Sequence, residues 1–111
     1  MITPKEIIER LRAGDFEAPS RLADYLVILS ASLSAGGLME LETEIHFSEK
    51  WQELRRECDS DKQCDMKAKL LSEYVLMKTA QINNKTILEV IRSLKKKLQN
   101  LEIEYREGQN F

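Results

Sequence analysis

The stretch from Met66 to Tyr105 decides the fold: MKAKLLSEYVLMKTAQINNKTILEVIRSLKKKLQNLEIEY. Reading it at every third and fourth position gives a seam in which ten of twelve side chains are apolar or aromatic: Met66, Leu70, Glu73, Met77, Ala80, Asn84, Ile87, Ile91, Leu94, Leu98, Leu101 and Tyr105. Neither Pro nor Gly interrupts this repeat, which is typical of one face of a long helix that pairs with other helices. The seam predicts an all-α fold, a helical bundle or helical hairpin with a long coiled-coil-like helix at about 61–107.

Two polar residues lie in the seam, and the sequence leaves their roles open. Asn84 either fixes the register of a core position or marks a local bend that faces solvent. Glu73 needs a wet surface or a basic partner, since a buried unpaired carboxylate is costly. If the long helix breaks, Asn83-Asn84 is the expected place, and Gly108 is the expected stop. Before Asn84 the apolar positions extend beyond the seam, and this wider apolar face indicates a bundle core. The additional positions are Leu71, Tyr74, Val75 and Leu76.

Upstream of the seam, local signals predict three further helices, at about 4–13, 19–35 and 38–57. Thr3, Pro4 and Glu6 are three start signals for the first helix, and Gly14 is a stop signal. Phe16 is expected to fill the gap before the second helix. The pair Gly36-Gly37 either ends the second helix or lies within a kinked continuous one, which we favour slightly because no turn residue follows. Ser60 to Gln63 fits the capping box of the last helix.

The composition limits what kind of protein this is. With 111 residues we expect one domain, 1–111, and the net charge of −2 by itself indicates no polyanionic partner. The longest apolar run, Tyr25 to Leu29, is too short to cross a bilayer, so no membrane association is expected. No hydrophobic signal region is visible and two cysteines form no disulfide framework, so the cytoplasm is the expected compartment.

Catalytic and ligand-binding signatures are weak. His46 is the only histidine, and Glu42 and Glu49 are its acidic neighbours on the same helix. Cys58 and Cys64 lack the spacing of a zinc site, and the acidic loop 59–65 lacks the Gly and the bidentate Glu of a calcium loop. The chain has no phosphate-binding Gly-rich loop and no nucleophile motif. We therefore expect no enzyme, no cofactor, no metal and no small-molecule substrate.

The segment 38–57 is apolar on two sides, which argues for a partner. Leu38, Leu41 and Ile45 lie on one side, whereas Phe47, Trp51 and Leu54 lie nearly opposite. A helix of this kind is sandwiched between helices of its own chain or between its chain and a partner. We expect a homo-oligomer, with a dimer favoured, that also binds an unidentified protein. The expected interface residues are Phe47, Trp51, Leu54, Ile87, Ile91, Leu94, Leu98, Leu101 and Tyr105.

The charges are unevenly distributed along the chain. The segment from Leu38 to Asp61 has eight acids and three bases, whereas that from Lys62 to Lys97 has nine bases and three acids. One interpretation is that the acidic and basic helices pack against each other. The alternative is a sequence-independent nucleic-acid contact through a basic stripe, with contacts about 10 Å apart along the helix. That stripe consists of Lys78, Lys85, Arg92, Lys95, Lys96 and Lys97.

Several local patterns resemble those of short all-helical proteins of unknown function from bacteriophages and prophages. They are Leu22-Ala23-Asp24-Tyr25-Leu26, Trp51 with Leu54-Arg55, and the closing Leu101-Glu102-Ile103-Glu104-Tyr105-Arg106. The resemblance implies a viral accessory protein in the bacterial cytoplasm, acting with replication or recombination machinery. It offers no catalytic residues to carry over.

Overall fold

A computed structural model shows an all-α protein. It describes the backbone of residues 2–14 and 19–109, and the side chains within these ranges as far as residue 104. The structure is 88% helical, and its described part contains four helices and no strand. The helices are α1 (Pro4–Arg12), α2 (Pro19–Arg55), α3 (Asp61–Ala68) and α4 (Ser72–Gln109). The predicted fold class is confirmed, while Phe16 lies outside the described residues.

The ends of α1 follow from its sequence. The Thr3 side chain accepts a hydrogen bond from the Glu6 backbone N–H at 3.2 Å, and Pro4 occupies the first turn, where its missing N–H costs nothing. Gly14 has a φ of 74°, the left-handed conformation that terminates helices. Both signals act where the sequence places them.

The helices predicted at 19–35 and 38–57 are one helix, so those separate bounds are wrong, and the continuous element favoured at Gly36-Gly37 is what the structure shows. Gly36 and Gly37 keep helical backbone angles, and neither has a positive φ. Two glycines cost roughly 2 kcal/mol relative to alanines. Good helix formers follow them with no turn residue between, so the helix continues through the pair.

The helix predicted at 61–107 is divided, and the break is not at Asn83-Asn84. It lies at residues 69–71, where Leu70 N–H and Leu71 N–H bond the carbonyls of Lys67 and Ala68 at 3.1 and 3.0 Å. These three-residue hydrogen bonds tighten the end of α3 into a turn. Because the chain turns here, α3 buries Cys64 and Ala68 instead of projecting as an extension of α4.

The chain forms two compact units, and α2 and α4 each contribute to both. The first comprises Met1–Ser34 and Thr86–Phe111, and the second comprises Ala35–Lys85. The core of the first unit combines α1 with parts of α2 and α4 and consists of Ile7, Leu22, Tyr25, Leu29, Ile91 and Leu94. Arg10 Nη1 donates to the Tyr25 hydroxyl at 3.1 Å, which satisfies the polar end of that buried ring.

The second unit is an antiparallel α2–α4 hairpin closed at one end by α3. Phe47 of α2 and Tyr74 of α4 have ring centroids 5.6 Å apart. Trp51 Nε1 donates to Asp65 Oδ1 at 2.8 Å and thereby ties α3 to α2. The buried apolar side chains of this unit are few and mostly small: Cys58, Cys64, Ala68, Met77 and Ala80.

Candidate interaction surface

The seam residues predicted as an interface in α4 are largely covered by their own chain. Ile91 and Leu94 are 5% and 2% exposed in the core of the first unit. Ile87, Leu98 and Leu101 are partly buried against the same core. Ile91 and Leu94 therefore serve internal packing, whereas Ile87, Leu98 and Leu101 keep part of their surface exposed, and their role in an interface stays a prediction. The Tyr105 side chain lies outside the described residues.

The predicted α2 interface also faces inward. Phe47 packs on Tyr74, and Trp51 contacts α3 through Asp65 and through its carbonyl, which accepts from Cys64 Sγ at 3.5 Å. Leu54 is half-buried in the same unit. Sequence periodicity identifies two apolar sides of this helix, but not which of them its own chain covers.

The opposite side of α2 is the exposed one. Leu38, Leu41 and Ile45 are 71%, 55% and 50% exposed. With spacings of three and four residues, they form a continuous stripe on the side of α2 that faces away from α4. We call this stripe the outer α2 face. The sequence signal for it was the two-sided pattern itself, in which our interface prediction took the side of Phe47, Trp51 and Leu54.

The corresponding side of α4 is also exposed within the second unit. Val75 and Ile82 are 57% and 61% exposed, and Thr79 lies between them on the same side. We call these three residues the outer α4 face. Leu76 is exposed too, so the bundle core predicted around Val75 and Leu76 is wrong. The pattern 75–79–82 could have predicted this face, because it lies opposite the seam.

Two seam residues upstream of α4 are exposed as well. Met66 is 66% exposed, and Leu70, within the break, is 87% exposed. Because the chain turns at 69–71, these two residues do not continue the buried face of α4. Met39 is also exposed. In total, the described part of the chain has eleven exposed large hydrophobic side chains, and nine of them lie in Ala35–Lys85.

Asn84 fixes the contact between α2 and α4. It is 9% exposed, and its Nδ2 donates to Gly36 O at 2.8 Å and to Glu40 Oε1 at 3.0 Å. A Cβ on Gly36 would lie only 2.1 Å from Asn84 Oδ1. Of the two roles considered for Asn84, the solvent-facing bend is therefore wrong, and the buried polar position is what the structure shows.

The cysteines belong to the turn between α2 and α3. Both Cys58 and Cys64 are free and buried. Burial raises the pKa of the Cys64 thiol, and interaction with Cys58 raises it further. Arg55 secures the turn by donating to Asp61 Oδ1 at 2.6 Å and to Cys58 O at 2.8 Å, and the hydrogen bond to Asp61 raises the pKa of Arg55. These thiols are structural packing groups.

The predicted capping box at the start of α3 is present in part. The Ser60 hydroxyl accepts from the Gln63 backbone N–H at 3.2 Å, as predicted. Gln63 Oε1 accepts from the Asp59 backbone N–H at 2.7 Å rather than from that of Ser60. Both backbone donors are satisfied, and α3 begins at the predicted residue, Asp61.

The described surface includes a cavity in each unit. The first, of about 330 Å³, is lined in the first unit by Ile8, Leu11, Arg12, Thr86, Glu89, Val90, Ser93, Leu94 and Lys97. The second, of about 280 Å³, is lined in the second unit by Thr43, His46, Glu49, Lys50, Glu53, Glu73 and Leu76. Glu73 thus has the polar surroundings that its position requires.

The second cavity contains the one histidine of the chain. His46 Nδ1 lies 3.9 Å from Glu49 Oε2 in an exposed pair. Within the residues that the structure describes, no three His, Cys, Asp or Glu side chains are placed to hold a metal ion. The acids that point into this cavity come from both α2 and α4, but they are neither deeply buried nor arranged around a common point.

The basic residues of α4 are mostly exposed. Lys78 lies over the Tyr74 ring with its Nζ 5.7 Å from the centroid, and Lys85 is exposed. Arg92, Lys95 and Lys96 are exposed in the first unit, while Lys97 is half-buried and lines its cavity. In the second unit, the acids Glu40 and Glu44 accept hydrogen bonds from the amides of Asn84 and Gln81. Amide-to-carboxylate bonds thus connect the helices there.

Helix α2 is long and apolar enough to cross a membrane. It contains an 18-residue stretch with a mean hydropathy of 1.5, of which 17% is buried. Our prediction counted only uninterrupted apolar residues and overlooked the small, uncharged Ser, Ala and Gly residues around Gly36. This property rests on length and composition alone, and the core helices of soluble proteins and signal sequences can share it.

Comparison with protein-family models, with curated proteins and with solved structures finds no match to this chain.

Proposed function

We propose that this protein acts through protein–protein contacts and self-association, as a non-enzymatic accessory protein. The observation that carries the proposal is the apolar surface of the second unit, which holds nine of the eleven exposed large hydrophobic side chains in the described part. Monomeric soluble proteins rarely expose large contiguous apolar patches, and such patches mark interaction sites.

The inner packing of the second unit supports this proposal. Its buried apolar side chains are mostly small, while nine larger ones are exposed. Each Å² of apolar area removed from water stabilises a protein by roughly 25 cal/mol. The isolated chain lacks this stabilisation for its exposed outer side chains. A partner surface can supply that cover.

The resemblance to bacteriophage proteins adds a biological setting. We place the protein in the bacterial cytoplasm, where it contacts phage or host nucleic-acid machinery. Accessory proteins of this kind need a binding surface and no catalytic centre, and the second unit provides such a surface.

Light scattering after size-exclusion chromatography tests the proposal. The wild-type protein should have a mass that is a multiple of the chain mass of 12.9 kDa. Replacing the 55%-exposed Leu41 by Lys should reduce that mass. The matched control is Ile103→Lys, which changes a 51%-exposed side chain outside the second unit and should leave the mass unchanged. A wild-type protein of 12.9 kDa at all concentrations would contradict self-association.

A second function, sequence-independent binding of DNA, is supported by the exposure of Arg92, Lys95 and Lys96 on α4. Such binding releases counterions, so the affinity should fall steeply as salt is added. Replacing all three by Gln should abolish retention of DNA in a gel-shift experiment at low salt. If the wild-type protein retains no DNA there, this second function is rejected.

A further inference from the structure

The α2–α4 hairpin of the second unit is apolar on both of its outer sides. The contacts inside the hairpin come from Gly36, Glu40, Glu44 and Phe47 on α2 and from Tyr74, Gln81 and Asn84 on α4. At 100° per residue, Leu38, Leu41 and Ile45 lie roughly opposite the α2 contacts, and Val75, Thr79 and Ile82 lie roughly opposite the α4 contacts. The two outer faces therefore point in different directions.

The polar group on the outer α4 face is internally satisfied. Thr79 Oγ1 donates to Val75 O at 2.7 Å, so its hydroxyl bonds the helix backbone. The Thr79 methyl group can then act with Val75 and Ile82 as part of an apolar stripe. Neither outer face requires a polar partner for burial.

We propose that the outer α2 face of one copy packs against the outer α4 face of a second copy with the helices antiparallel. The inference rests on the proposed self-association and specifies its surfaces. The spacing matches: positions 38, 41 and 45 read forward have the same three-then-four steps as 82, 79 and 75 read backward. Antiparallel packing thus places Leu38 opposite Ile82, Leu41 opposite Thr79 and Ile45 opposite Val75.

The charges beside the two faces favour this pairing over pairing of like faces. The exposed acids Glu42 and Glu49 border the outer α2 face, whereas the exposed bases Lys78 and Lys85 border the outer α4 face. Packing two α2 faces together would bring the acids of both copies close. Packing two α4 faces together would likewise bring Lys78 and Lys85 of both copies close. In the antiparallel α2–α4 contact the acids and the bases lie on opposite rims, so no like charges meet, and the like-face arrangements are disfavoured.

This contact joins two different surfaces, so it is heterologous. Each copy that binds a neighbour through its outer α2 face still presents its own outer α4 face. Contacts of this kind generate closed rings when the rotation closes and filaments when it does not. The inference therefore replaces the dimer expected from the seam with an assembly in which every copy uses both faces.

Two single-face variants test the inference. Leu41→Lys disables the outer α2 face, and Ile82→Lys disables the outer α4 face; both side chains are more than half exposed, so each variant should keep its helical circular-dichroism signal. In light scattering, each variant alone should be a 12.9 kDa monomer, because every α2–α4 contact then includes a disabled face. Mixed in equal amounts, they should form a 1:1 heterodimer through the two intact faces.

The outcomes separate this inference from the proposed function. If the wild type self-associates but Ile82→Lys alone remains oligomeric, like-face packing of α2 is correct and the inference is overturned. If only Leu41→Lys remains oligomeric, packing of α4 faces is correct instead. A monomeric wild type that floats with vesicles of zwitterionic and anionic lipid would overturn both and indicate a membrane surface as the occupant. If a variant loses its helical signal, Leu38→Lys or Val75→Lys replaces it on the same face.

Discussion

Gly36 is predicted to be required by the side chain of Asn84, and Gly36→Ala tests this. An Ala Cβ would lie 2.1 Å from Asn84 Oδ1 and 3.1 Å from its Cγ, so the Asn84 side chain must move. Moving it breaks the hydrogen bonds to Gly36 O and Glu40 Oε1. Because the site is buried, water does not fully replace these hydrogen bonds.

The expected magnitude follows from three contributions. A neutral hydrogen bond contributes about 1 kcal/mol and one to a carboxylate about 2 kcal/mol. Ala gains about 1 kcal/mol over Gly inside a helix. Gly36→Ala should therefore lower the free energy of unfolding by about 2 kcal/mol. Urea unfolding, followed by circular dichroism at a fixed protein concentration, measures this change.

The neighbouring glycine provides a matched control. Nothing lies within 4 Å of a Cβ placed on Gly37, so Gly37→Ala should raise the free energy of unfolding by about 1 kcal/mol. In an Asn84→Ala background, Gly36→Ala should likewise become stabilising, because the clashing side chain is gone. If Gly36→Ala stabilises the wild-type chain as much as Gly37→Ala does, the reasoning is refuted.

Three further predictions concern other parts of the molecule. Leu94→Ala should lower the free energy of unfolding by about 2–5 kcal/mol, since this side chain is 2% exposed in the first unit; an unchanged urea midpoint would place it outside the core. Ser60→Ala should lower the free energy of unfolding by about 1 kcal/mol through loss of the α3 cap, as measured by urea unfolding. Cys58 and Cys64 should react slowly with a thiol reagent in the native protein and quickly in urea, because both are buried and the raised pKa of Cys64 keeps it protonated; equal rates in both conditions would contradict this.

The sequence was sufficient for features determined by local chemistry. The cap at Thr3, the left-handed Gly14 and the start of α3 at Asp61 follow from side chains within four residues of each site. The long seam predicted an all-α fold because its period is a property of one helix. These features need no knowledge of what lies across the chain.

Features that depend on long-range packing were not predictable from the same patterns. The break at 69–71 has no Gly or Pro to mark it, and it accompanies the burial of Cys64 and Ala68 in α3. The choice of α2 side depended on whether α4 covers Phe47 or Leu38, and both stripes have similar periodicity. Hydrophobic spacing predicts that a face is buried, but not whether its own chain or a second copy buries it.

The mass of the wild-type protein in solution, measured by light scattering over a range of concentrations, tests the central claim most directly. Because the outer faces of the second unit lack cover within the described chain, we predict a multiple of 12.9 kDa that falls towards the mass of one chain on dilution. A constant mass of 12.9 kDa would contradict the account, as would Lys substitutions at Leu38, Leu41 and Ile45 that leave the mass unchanged.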